Sequence, residues 1–283
     1  MQFFTPDGTR LTYRRAGTGA PLVCVPGGPL LPADYLGDLG RLTDYAELIL
    51  LDPRGSGHPA PPVVPATCRC DLVADDLEAL RLHLELERLD LLGHSAGTNV
   101  VLRYAERHPE RIGRLVLVTP STRAVGVQIS DQARNDVARS RAGESWYAEA
   151  AAALARIQDD AATAADWEAI APFTYGRWDD QIAAFDARME AARNHETALA
   201  FGAEGAFDPP MTRSVLATLD VPVVVIAGSV DVGNPVDAMA EVVGLFPRGE
   251  LVVQEGAGHF PWVDDPARFQ MLVAPRLARP SAS

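Results

Sequence analysis

The chain is expected to adopt an α/β fold, with a doubly wound, mostly parallel sheet and an inserted helical lid, and three observations lead to this reading. Short apolar runs of strand length alternate with amphipathic stretches of helix length up to Val118, and the rhythm resumes at Val221. Residues 121–212 interrupt it and are alanine-rich and helical in character. A G-x-S-x-G turn centred on Ser95 joins one apolar run to a helix. The core is therefore assigned to residues 1–120 and 213–283, and the lid to residues 121–212.

The elements follow in chain order. Residues 2–15 alternate around Asp7-Gly8, a hairpin signal, and give two short antiparallel strands at the sheet edge. Pro21–Val25 is continuously apolar, as suits a strand buried on both faces, and ends in Pro26-Gly27-Gly28-Pro29, where a glycine pair frees backbone N–H groups. A second buried strand, Leu48–Leu51, leads into the turn formers Asp52–His58. From Asp71, the spacing of Val73, Leu77, Leu80 and Leu84 gives a helix one apolar face. That helix delivers the strand around Leu89, Leu91 and Leu92, then Gly93-His94-Ser95-Ala96-Gly97, then a helix from Thr98 to His108 that Pro109 stops. Small residues flank Ser95 because a sharp strand-to-helix turn leaves no room for Cβ atoms there. Leu115–Val118 is another buried strand, and Thr119-Pro120 opens the lid region. The lid carries Trp146, Tyr147, Trp167, Phe173, Tyr175, Trp178 and Phe207, most of them expected in its own core and some facing Ser95. After it come a strand at Val221–Ala227, a helix at Pro235–Phe246, a strand at Glu250–Val253 and a helix at Asp264–Leu277, with the tail from Arg279 expected to fray.

Composition removes several function classes. The length of 283 residues and the hydrophobic fraction of 47% fit one large globular domain with an insertion. A net charge of −13 argues against nucleic acid or an anionic membrane as partner. All 25 basic residues are arginine, which excludes Schiff-base chemistry, pyridoxal phosphate anchoring and the P-loop lysine. Cys24, Cys68 and Cys70 lack metal-ligand spacing and read as reduced thiols, so neither zinc nor any other metal or cofactor is expected. The first residues lack a basic segment followed by an apolar run, and no stretch approaches a membrane span, so a cytoplasmic protein is expected.

A serine hydroxyl becomes a useful nucleophile when a histidine takes its proton and a carboxylate fixes that histidine's tautomer. Among the histidines, His83 and His108 sit on helices, His94 is locked beside Ser95, and His195 lies in the lid. His259 stands apart, in the loop Glu255–Trp262 after the last strand, where a base can be held over the sheet. The matching acid is Asp231, in Ala227–Pro235 after the preceding strand. Asp237 falls inside the next helix, Asp264 and Asp265 are expected to cap the last one, and Thr119-Pro120-Ser121 offers no carboxylate. The backbone N–H groups of Gly28 and Ala96 form the natural oxyanion pair, each worth about 3 kcal/mol of transition-state stabilisation.

Across nearly its whole length the chain resembles an α/β-hydrolase, and within that fold it is similar to the proline iminopeptidase-like branch. The residues that carry this are the order Ser95, Asp231, His259, Gly27-Gly28-Pro29 after a strand, and the D-x-R-G-x-G-like loop Asp52–Gly57. The family's H-G-G-P-G becomes Pro26-Gly27-Gly28-Pro29-Leu30, and its G-x-S-W-G elbow becomes Gly93–Gly97, so selectivity for an N-terminal proline does not follow. Asp52 and Arg54 read as braces of their loop.

The resulting expectation is a cofactor-independent serine hydrolase with a small-molecule or short-peptide substrate. Ser95 attacks a carbonyl, His259 shuttles the proton, Asp231 orients His259, and water releases the acyl group. Ester or small-amide hydrolysis leads, aminopeptidase action on short peptides is second, and carbon-carbon bond hydrolysis or a non-catalytic binding role is more distant. Haloalkane- and epoxide-opening relatives need a carboxylate where Ser95 stands. For the aminopeptidase alternative the resemblance implies a lid acid that binds the substrate ammonium, and Glu204 is its candidate. Trp146, Tyr175, Trp178 and Phe207 are the candidate pocket aromatics.

Overall fold

Val-, Leu- and Ile-rich runs that bury both faces of a strand supply the centre of the sheet, and the computed structural model describes residues 1–56 and 63–278 around it. The strands are β1 (Gln2–Phe4), β2 (Arg10–Ala16), β3 (Pro21–Val25), β4 (Glu47–Asp52), β5 (Leu89–His94), β6 (Ile112–Val118), β7 (Val223–Gly228) and β8 (Gly249–Gln254). They form one sheet in the order β1-β2-β4-β3-β5-β6-β7-β8. β1 and β2 are the edge hairpin, β2 runs antiparallel to β4, and β4 through β8 are mutually parallel. Every residue of β6 and β7 is buried, as a strand covered by helices on both faces requires.

Alternate residues feed two helical layers. Leu89, Leu91, Leu115 and Leu117 pack into one core with Val73, Leu77 and Leu80 of α1 (Cys70–His83) and with Val100 and Val101 of α2 (Gly97–Arg107). Met239 and Val242 of α9 (Val236–Val243) join them. Leu92, Val116, Val118 and Ile226 point the other way, onto Phe269 and Val273 of α11 (Pro266–Leu277). The register is pinned because a one-residue slip of any of these strands would exchange the two layers.

Between β6 and β7 the chain inserts α3 (Asp131–Arg139), α4 (Tyr147–Gln158), α5 (Ala164–Ala169), α6 (Asp180–Ala191), α7 (His195–Phe201) and α8 (Pro209–Leu216). Their starts are set by polar caps: the side chains of Ser130, Asp179, Asn194 and Asp208 accept backbone N–H bonds from the first turns of α3, α6, α7 and α8. α8 spans the 212/213 junction and packs Leu216 into the α1/α2 core. The last helical stretch departs from the expected single helix at Asp264. A one-turn helix α10 (Pro261–Asp264) comes first, and only Asp265 caps α11, where Pro266 fills a first-turn position that needs no N–H donor. Asp264 instead accepts the Gly258 N–H at 2.7 Å and braces the loop that carries His259.

The loop after β4 is braced from both ends. Asp52 accepts from the Ala33 N–H at 2.9 Å and the Thr12 hydroxyl at 3.1 Å. Arg54, buried, grips Asp76 of α1 with two guanidinium nitrogens and Asp7 of the hairpin turn at 3.0 Å with a third. Gly57, the last residue of the D-x-R-G-x-G-like loop, and His58 after it lie outside the described residues, as does the tail 279–283. Among the described residues no helix is long and apolar enough to cross a membrane.

Candidate active site

Ser95 stands in the turn between β5 and α2 with φ +51°, a left-handed conformation that side-chain-bearing residues rarely adopt. Such a residue costs about 1–3 kcal/mol unless its surroundings hold it. Here its N–H donates to the Val118 carbonyl at 3.0 Å and its carbonyl accepts from Ser121 at 3.1 Å. Glycine is needed at two neighbouring points of close approach. A Cβ on Gly97 would lie 2.4 Å from the carbonyl oxygens of Val25 and Pro26, and one on Gly27 would lie 2.8 Å from the Ser95 Cβ. The end of β3 and the elbow thus pack backbone against backbone.

His259 Nδ1 donates to Asp231 Oδ2 at 2.7 Å, and Asp231 is 1% exposed. In the neutral ring this leaves Nε2 without a proton and able to take one. The Asn234 backbone N–H donates to the other Asp231 oxygen at 3.0 Å, fixing the carboxylate. The His259 main chain is held as well: its N–H donates to Thr174 at 2.7 Å, and its carbonyl accepts from the Thr119 hydroxyl at 2.9 Å. Ser95 and His259 line one cavity of about 170 Å³. Among the described residues the Ser95 hydroxyl makes no hydrogen bond to protein, and none joins it to His259.

A second histidine ties this site together. His94 lies within hydrogen-bond distance of the His259 carbonyl through Nε2, 3.0 Å, and of the Tyr35 hydroxyl through Nδ1, 2.7 Å. A carbonyl can only accept, so Nε2 carries the proton, Nδ1 accepts, and Tyr35 donates to it. The Tyr35 oxygen in turn accepts the Gly27 N–H at 2.6 Å. Burial, with His259 close by, pushes the His94 pKa well below the ordinary histidine range and keeps the ring neutral. One chain of hydrogen bonds thus runs from the glycine loop after β3 to the loop carrying His259.

The Gly28 and Ala96 N–H groups donate to no protein acceptor among the described residues, so both remain able to meet an oxyanion. Gly28 sits at φ +118°, where a Cβ would lie 2.6 Å from Leu31 Cγ. Its carbonyl accepts from Arg193 Nη1 at 2.6 Å.

Of the residues proposed to contact substrate, Tyr175 lines the Ser95 cavity. It is fully buried, stacks on Phe260 with ring centroids 5.2 Å apart and donates to Asp186 Oδ1 at 2.8 Å. The other four do not line that cavity. Trp146 packs edge-on against Phe173 in the insertion's own small core, under the Arg141 guanidinium. Trp178 packs against the Tyr175 ring with centroids 5.7 Å apart, and Phe207 packs on Phe201 and lines a different cavity with Arg123. Glu204 is exposed, in the turn between α7 and α8, and its carbonyl accepts from Arg69 at 3.3 Å. Sequence neighbours such as Phe201 and Phe207 pack inward while this turn faces solvent. The carboxylates at the Ser95 cavity are Asp186 and Glu190, joined by Arg193, which donates to Glu190 at 2.8 Å. Burial raises the Asp186 pKa, partly offset by the Tyr175 hydroxyl. Their i, i+4, i+7 spacing is the signal that could have found them.

Comparison with known proteins agrees with this architecture. The alpha/beta hydrolase fold family profile matches residues 20–266. A probable proline iminopeptidase of Streptomyces coelicolor is 28% identical over 89% of this chain and 87% of its own. Among solved structures, the proline iminopeptidase of Mycobacterium smegmatis superposes with a TM-score of 0.74 at 23% identity, covering 98% of this chain and 97% of the other. A thermophilic esterase of Thermogutta terrifontis gives a TM-score of 0.71 at 23% identity with the same coverage.

Proposed function

The chain belongs to the α/β-hydrolase family, and from that premise we propose that it is a serine hydrolase acting on ester or small amide bonds. Ser95 Oγ attacks the carbonyl carbon while its proton passes to His259 Nε2. The negative charge that develops on the carbonyl oxygen is met by the Gly28 and Ala96 N–H groups. Asp231 stabilises the imidazolium that results. The proton then moves to the leaving alcohol or amine as its bond to carbon breaks, leaving an acyl-Ser95 ester. Water adds to that ester by the same route, its proton taken by His259 and returned to Ser95 as the acid departs. The observation that carries this reading is the His259 to Asp231 hydrogen bond at 2.7 Å, set in the same cavity as a serine held at positive φ.

The test is labelling with a fluorophosphonate probe, followed by a panel of acyl esters, lactones and aminoacyl amides on wild type and Ser95→Ala. Labelling and turnover that both vanish in Ser95→Ala support the proposal, and an unlabelled wild-type protein would overturn it. Aminopeptidase action is the second reading, supported by likeness to proline iminopeptidases and by Asp186 and Glu190 at the cavity wall, suited to a substrate ammonium. Under that reading Asp186→Asn lowers kcat/KM for aminoacyl amides by roughly 10- to 100-fold and for neutral esters far less.

A further inference from the structure

The last two turns of α6 and the residues after it carry two parallel stripes. Asp186, Glu190 and Arg193 recur at i, i+4 and i+7 and line the cavity that holds Ser95. Phe185, Met189 and Ala192 recur with the same spacing, one residue earlier, and line a second and larger hollow of about 310 Å³. One residue is a rotation of about 100° around a helix, so the stripes are adjacent faces of one rod. Across from the apolar stripe lie Leu31, Pro32 and the Tyr35 ring. Leu31, Tyr35 and Met189 line both spaces, which therefore meet at a common wall.

The two spaces differ in chemistry. The inner one is small and edged by a carboxylate pair, a guanidinium and two histidines, room for the reacting carbonyl and little else. The outer one is walled mainly by aliphatic, proline and aromatic side chains, with Asp34 and Arg188 at its edge. Asp34 is held by Arg14 at 2.8 Å, and both are exposed.

The geometry points to the outer groove as a substrate subsite, taking an unbranched or aromatic apolar arm of a neutral ester whose carbonyl reacts at Ser95. This deepens the hydrolase reading and rests on it. The arm gains by leaving water, at roughly fourfold in affinity per methylene, or about 0.8 kcal/mol. Arms long enough to fill the groove gain nothing from further methylenes.

Two ester ladders test this: p-nitrophenyl acetate to octanoate lengthens the acyl side, and ethyl to octyl acetate lengthens the alcohol side. The ladder that enters the groove shows kcat/KM rising about threefold to fourfold per methylene and then levelling off. Ala192→Phe fills the groove and lowers the ratio of long-chain to short-chain kcat/KM at least tenfold. Ala192→Ser leaves the volume open and keeps the rise. Measurable hydrolysis with a flat response on both ladders, or an Ala192→Phe variant that is folded by circular dichroism with an unchanged ratio, overturns the subsite. Calorimetric binding of octyl acetate to Ser95→Ala separates the two readings. Binding that weakens at least tenfold when Ala192→Phe is added supports the groove even if wild type is not labelled by the fluorophosphonate and hydrolyses neither ester nor amide, a result that would overturn the hydrolase reading alone. Binding that ignores Ala192→Phe overturns the groove alone.

Discussion

Arg193, just beyond α6, donates through Nη1 to the carbonyl of Gly28 at 2.6 Å, so the inserted helices and the loop after β3 are tied across the cavity that holds Ser95. The tie is charge-assisted and holds the residue whose N–H is proposed to meet the oxyanion. Arg193→Met is therefore expected to lower kcat by roughly 10- to 100-fold, the scale of about 1.5–3 kcal/mol for a hydrogen bond to a charged group. KM should change less, because the lost positioning matters most in the transition state. Steady-state kinetics check this, and an unchanged kcat would remove Arg193 from any positioning role.

The Tyr35 hydroxyl joins Gly27 to His94, and Tyr35→Phe strands a buried N–H and a buried imidazole nitrogen together. Each unpaired group costs about 1–3 kcal/mol. Urea unfolding should show this loss, and kcat should fall with it. His94→Gln, which can still donate to the His259 carbonyl, is expected to keep more activity than His94→Leu. If the two His94 variants behave alike, the hydrogen bond to His259 is not what His94 supplies.

Ser95→Ala and His259→Ala are each expected to cut kcat by several orders of magnitude on any substrate the wild type turns over, with Asp231→Asn close behind through the wrong histidine tautomer. Single-turnover assays with purified variants check this. Near-wild-type turnover in either of the first two would move the chemistry away from Ser95 and His259.

Acid stability has a specific handle in Glu78. Hydrogen bonding from Arg81, reinforced by the Tyr104 hydroxyl, lowers its pKa from 4.5 to about 2. A carboxyl depressed on folding stabilises the fold fully above its unfolded pKa, and that contribution is lost as pH falls from 4.5 toward 2. Thermal melts should show Tm dropping over this window, and the drop should be smaller in Glu78→Gln, which has no proton to take up. An identical pH dependence in the variant would assign acid sensitivity elsewhere.

What could be read from the chain without coordinates was whatever is local. The elbow at Ser95 is a strand, a turn and a helix in immediate succession, and the hairpin, the parallel strands and their helices declare themselves by periodicity within a few residues. Asp231 and His259, which the fold brings within 2.7 Å of each other, each sit in a loop after a strand, which is also a local pattern. The ties that shape the cavity join distant positions: Tyr35 to His94 across 59 residues and Arg193 to Gly28 across 165. No local pattern encodes them. Around Glu204 the local pattern is weaker, because its aromatic neighbours Phe201 and Phe207 pack on each other while the turn between them faces solvent. The end of α10 was missed for a related reason, since Asp264 and Asp265 look like equivalent caps and only Pro266 decides between them.

Because α6 carries its polar and apolar stripes one residue apart, its angular setting decides which side chains face each cavity. Inserting a single residue in the segment that leads into α6 would, if the helix kept its ends, turn it by about 100° and bring Phe185 and Met189 into the places of Asp186 and Glu190, toward Ser95. Diversification of such a chain can therefore proceed by short insertions and deletions in a connecting loop, changing which side chains surround Ser95 without a single substitution in α6.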